Sequence, residues 1–170
     1  QTCALPISFR HIDPLGLLCM VLLRFGWAKP VPVDPRRFRH PRRDMALVAV
    51  AGPLMNVILS FICILLYYVL ALSFPGNQFA NAMGDFFVIL AVLSAGFAVF
   101  NLIPLPPLDG SRVVSMLLPP KWVYYFVRNE RYIQLVLILL LITGVLSTPL
   151  AMVRGYLLHG IESIVRWMVL

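Results

Sequence analysis

The sequence predicts an all-α polytopic membrane protein with about three transmembrane helices. A re-entrant or interfacial segment, a short extended hairpin-like region and a C-terminal interfacial helix complete it. Three observations carry this expectation. Hydrophobic residues make up 61% of the 170 and charged residues 12%, against roughly 45–50% and about 25% in soluble domains. Uncharged runs recur that exceed the about 20 apolar residues needed to cross a hydrocarbon core. Lys and Arg collect in the segments between those runs, as they do in loops that stay on one side of a membrane. The length suits a single membrane-embedded domain over 1–170.

The elements follow in order. The apolar run 15–23 is too short to cross. Arg24 lies behind it and the proline-spaced "WAKPVPVDP" after it, so it reads as a re-entrant or interfacial segment leading into an extended hairpin-like stretch. From 45 to 83 there is no Asp, Glu, Lys, Arg or His, and 45–72 reads as the first span. The second is 86–103, ended by Pro104, Pro106 and Pro107, which cannot donate to a helical ladder. The third is 132–153, with Gly144 and Pro149 placed to bend its second half. In 156–170, His159, Glu162 and Arg166 share one helical face, which predicts an interfacial helix with a supportive i,i+4 ion pair.

Charge sets the expected topology. Lys29, Arg36, Arg37, Arg39, Arg42 and Arg43 precede the first span, and Arg112, Lys121, Arg128 and Arg131 lie between the second and third, whereas 73–85 has neither Lys nor Arg. Positive charge stays inside, so 24–44 and 104–131 are expected in the cytoplasm. The run "PRRFRHPRRD" reads as a juxtamembrane cluster on anionic lipid and not as a nucleic-acid patch. No leader with a short apolar core and a cleavage site is legible at the start. The three cysteines, Cys3, Cys19 and Cys63, show no CxxC spacing and read as small buried hydrophobes.

Two spans carry stripes of small and polar residues. Ala49, Pro53, Asn56, Ser60 and Cys63 recur at helical spacing in the first, and Ala91, Ser94, Ala95, Ala98 and Asn101 in the second. Small residues let backbones approach in lipid, where apolar burial between helices drives little. Asn56 and Asn101 admit both a packing and a functional role. Asp109 stands behind the prolines of "NLIPLPPLDG"; a carboxylate in such surroundings is costly unless compensated. From the residues alone it could cap a helix at the membrane surface.

"FNLIPLPPLDGSRV" resembles the second signature of the site-2 protease family of intramembrane zinc metalloproteases. "AGPLMN" is similar to that family's Gly-x-x-x-Asn segment, and "HIDPLG" with "FGWAKPVPVDPRRFRHPRRD" to a connection in its compact bacterial members. The three blocks cover most of 11–120 in the family's order. The resemblance implies a zinc metalloendopeptidase of a bacterial cytoplasmic membrane, hydrolysing transmembrane protein substrates in contact with the lipid bilayer. It implies Asp109 as a Zn2+ ligand, with Asn56 and Asn101 positioning substrate backbone or the groups around the metal.

The chain departs from the pattern in one respect. The family draws two histidine ligands and the general-base glutamate from HExxH, a spacing that puts both imidazoles on one helical face. No HExxH occurs here, and the histidines are His11, His40 and His159. Residues 1–8, "QTCALPIS", fit neither a start site nor the family sequence. The expectation is an N-terminally truncated member, inactive as it stands, with a non-catalytic membrane scaffold or substrate-binding regulator as the alternative. A reporter fused after Pro75 is expected to read as extracytoplasmic and one after Lys121 as cytoplasmic. The reverse pair would overturn the orientation.

Overall fold

The computed structural model describes residues 40–169. Among the described residues there are six helices: α1 (Pro41–Ser73), α2 (Gln78–Asn101), α3 (Asp109–Leu117), α4 (Pro120–Arg128), α5 (Glu130–Ile142) and α6 (Ser147–Val169). The re-entrant segment, the hairpin-like stretch, Cys3, Cys19 and His11 lie outside the described residues. By length and composition, α1 and α2 are each able to cross a membrane, and α5 with α6 together form a third, bent candidate.

Helices α1 and α2 form an antiparallel pair. The chain turns between them at 74–77, where Gly76 takes φ of +79°, a conformation open to glycine at no steric cost. The Asn77 side chain then accepts hydrogen bonds from the Phe79 and Ala80 amides at 2.9 and 3.2 Å. This cap starts α2 at Gln78, eight residues ahead of the expected 86. Asp85 is exposed within the helix, because a charge bars a residue from hydrocarbon and not from an α-helix.

The seam between α1 and α2 is the paired small-residue stripe. Ala95 and Ala98 on α2 are 0% exposed, and Ala49, Ser60 and Cys63 on α1 are at or below 2%. The Ser60 hydroxyl donates to the Ala91 carbonyl across the seam at 3.0 Å, which needs the backbones close. Pro53 is buried on the same stripe. The outward faces carry Leu47, Leu54, Met55, Ile89 and Phe97, all exposed, as lipid-facing surface requires.

The third span departs from expectation. Helices α5 and α6 meet at 82° across a short break, where Gly144 takes φ of +73°. The break meets its own polar needs: the Thr143 hydroxyl donates to the Leu139 and Leu140 carbonyls, and the Ser147 hydroxyl to that of Gly144. Freed backbone groups at membrane depth need such partners. Pro149 falls in the first turn of α6, where its missing donor costs nothing; it opens that helix and does not bend the span.

The helix expected over 156–170 therefore begins at Ser147 and packs against both α1 and α2. Val165 and Ile161 enter a core with Cys63, Ile64 and Ala91. The Glu162–Arg166 pair forms at 2.9 Å, and both residues also reach Tyr68 on α1. Its hydroxyl donates to Glu162 Oε1 at 2.9 Å and accepts from Arg166 Nε at 2.8 Å. Protein thus covers Ile161 and Val165 of this helix, while Met152, Val153, Ile164, Trp167 and Met168 stay exposed. Ala95→Leu is expected to cost about 1–3 kcal/mol by overpacking the seam, whereas Ile89→Ala on the outer face stays within about 0.5 kcal/mol. Unfolding midpoints in detergent micelles check both.

Candidate functional site

The site is built where α2 stops. The ladder ends at Asn101, the Leu102 amide donates back to the Ala98 carbonyl at 3.2 Å, and Ile103 to Phe100 at 3.1 Å. Pro104, Pro106 and Pro107 supply no donors, so the loop closes on short turns, Leu105 to Ile103 and Leu108 to Leu105, both at 2.9 Å. The Pro106–Pro107 peptide is cis. The chain re-enters helix at Asp109, with Leu108 as the N-cap residue in extended conformation.

Gly110 fixes that re-entry. A Cβ there would overlap the carbonyl oxygens of Leu102 and Ile103, so only glycine lets the start of α3 lie against the end of α2. The neighbouring Asp109 is therefore held in place by backbone contact. Ser111 reinforces the turn by donating from its hydroxyl to the Leu108 carbonyl at 2.7 Å.

Asp109 does not cap α3. It is the first helical residue, and no side-chain capping bond closes this terminus. Its carboxylate, partly exposed, accepts no hydrogen bond from the described residues. It points instead at α1: a Cβ built on Gly52 would sit 3.4 Å from Asp109 Oδ2. The position at the start of a helix favours the negative charge through the exposed amide dipoles. The side chain thus leaves its oxygens available, which a cap would not.

The other sequence-predicted residues fall around this contact. Asn56 lies one turn beyond Gly52 on α1, about 6 Å along the axis, and Asn101 is the last residue of α2. Both are half-buried, and neither side chain hydrogen-bonds within the described residues. The structure brings Asp109 to the Gly52 turn of α1. It forms no hydrogen bond between the two asparagines. In the sequence, Gly52 and Gly110 stand inside "AGPLMN" and "LPPLDG", and the i,i+4 spacing of Gly52 to Asn56 is the signal that marks the first of them. Among the described residues no three His, Cys, Asp or Glu side chains cluster to hold a metal.

A carboxylate that accepts no hydrogen bond from the described residues thus stands just past a proline-broken apolar helix, beside a glycine of a second one. Residues 69–144 match the model of peptidase family M50. The chain is 37% identical over 139 residues to "Putative zinc metalloprotease YwhC" of Bacillus subtilis, covering 79% of this chain and 62% of that protein. It is 36% identical over 68 residues to "Putative zinc metalloprotease MJ0611" of Methanocaldococcus jannaschii, covering 40% and 32%. No solved structure gives a significant match. Over these residues the chain is similar to peptidase family M50 and to these two relatives, and it spans less than two thirds of their length.

Gly110→Ala is expected to lower stability by about 1–3 kcal/mol, because backbone and not a flexible side chain must yield. Gly52→Ala meets Asp109 at ordinary contact distance and is expected to stay within about 0.5 kcal/mol. Denaturant titrations in micelles separate the two.

Proposed function

We propose that the chain contributes the carboxylate ligand and part of the substrate cleft of an intramembrane zinc metallopeptidase acting on transmembrane protein segments. The observation that carries this reading is the state of Asp109: fixed by Gly110, aimed at Gly52 and accepting no hydrogen bond from the described residues. A carboxylate oxygen is an accepted zinc donor, so Asp109 fits as one ligand. The described residues do not complete a set of three, and the 170 residues contain no HExxH. Hydrolysis therefore requires an HExxH segment in addition.

When bound in this family, zinc supplies a Lewis acid and lowers the pKa of its water to about 7. The chain's own groups do the rest of what is proposed here. Asn56 and Asn101, with amides uncommitted among the described residues, donate to and accept from the backbone of an extended substrate strand. A transmembrane substrate has its amides bonded within its helix, so it must unwind locally before such pairing is possible. The proline-broken loop holds Asp109 just past the end of α2, and the proposed cleavage takes place where the substrate helix, too, nears the bilayer surface and unwinding costs least. The proposed setting is the cytoplasmic membrane with loops 24–44 and 104–131 inside.

The test uses a version in which an HExxH segment is present. Asp109→Asn is expected to abolish cleavage of a model transmembrane substrate and to lower zinc content while leaving the helices inserted. An amide keeps the side chain's shape but lacks the anionic oxygen a divalent ion needs. Cleavage at near wild-type rate would overturn the ligand role and leave the membrane scaffold standing. For the 170 residues alone, weak zinc binding without fixed stoichiometry is expected; tight one-to-one binding would refute the division of the site.

A further inference from the structure

Away from Asp109, α2 and the α5–α6 elbow enclose a groove of about 660 Å³, within the roughly 300–1,000 Å³ of small-ligand sites. Its walls are apolar, among them Val92, Phe97, Phe100, Leu141 and Leu150, with Ser147 and Arg154 as the polar exceptions. The Ser147 hydroxyl is committed to the Gly144 carbonyl. Arg154 is half-buried, lays its Cδ 3.7 Å from the position of a Gly96 Cβ, and forms no ion pair with the described residues. A guanidinium in such surroundings is costly without an anion beside it. Gly96 lies five residues before the end of α2, about 7.5 Å at helical rise, so the long side chain reaches from the groove toward the bilayer surface.

We propose that this groove binds one acyl chain of an anionic phospholipid whose phosphate pairs with Arg154. One cation at the mouth of an apolar channel calls for a ligand with one negative headgroup and a long apolar tail. A guanidinium matches phosphate oxygens in bidentate geometry. A transmembrane helix, about 10–12 Å across, would fill the same volume in less than two turns, so a single chain fits better than a peptide span. The inference is independent of the peptidase reading, since neither Arg154 nor Gly96 belongs to the Asp109 site.

Native mass spectrometry of the intact protein in maltoside micelles tests it with phosphatidylglycerol and phosphatidylcholine. One phosphatidylglycerol per chain is expected, held about ten- to a hundredfold more tightly than phosphatidylcholine, the range for one charge-assisted bond. Arg154→Gln is expected to erase that difference and Arg154→Lys to keep part of it. Gly96→Leu, which keeps the charge and fills the channel, is expected to weaken both lipids. A photoreactive acyl chain on the unaltered protein is expected to label 92–100 and 147–154. An undiminished phosphatidylglycerol preference in a folded Arg154→Gln protein, displacement by millimolar inorganic phosphate, or labelling of those segments by a single-span peptide in place of lipid would each overturn the proposal.

Discussion

The close approach of α1 and α2 is the constraint from which the rest follows. In lipid there is no gain from hiding grease between helices, so the two backbones come together only because the residues between them are small. Ser60 then reaches the Ala91 carbonyl, a bond that a larger residue at Ala91 or Ala95 would pull apart. Because the seam sets the register of α2 against α1, it decides which residue of α1 stands opposite the point where α2 ends. That residue is Gly52, and the side chain it receives is Asp109.

The site thus inherits its precision from backbone contacts. Gly110 lies against carbonyl oxygens where a methyl would not fit, and the Asp109 carboxylate comes to ordinary contact distance of Gly52. One absent side chain positions one present one. The prolines contribute by withholding donors, so the loop cannot extend α2 and must deliver Asp109 at a fresh helix start. The carboxylate then gains from amide dipoles without being consumed by a cap.

Much of this was legible in the sequence, because the relevant signals are local. Uncharged length gave two spans, small-residue spacing gave the seam, and the "LPPLDG" block gave the break and the charged residue. Boundaries failed where a side-chain cap, Asn77, outweighed the nearest charge as a marker. In the last third, periodicity suggests a helix lying on a membrane surface; α1 and α2 cover its Ile161 and Val165, while Ile164, Trp167 and Met168 stay exposed. Amphipathicity reports that a helix has two environments and does not say whether the apolar one is lipid or protein. The Tyr68 bond to Glu162 links residues 94 apart, beyond the reach of any local pattern, and the Asp109 approach to Gly52 is of the same kind.

The elbow at Gly144 has a consequence for the crossing itself. Helix α5 has 13 residues, which cover about 20 Å of a hydrocarbon core about 30 Å thick. Alone it is too short to cross, so a third crossing needs α6 as well. The 82° bend between the two would then lay the break within the hydrocarbon, where carbonyls have no water to turn to and the Thr143 and Ser147 hydroxyls serve in its place.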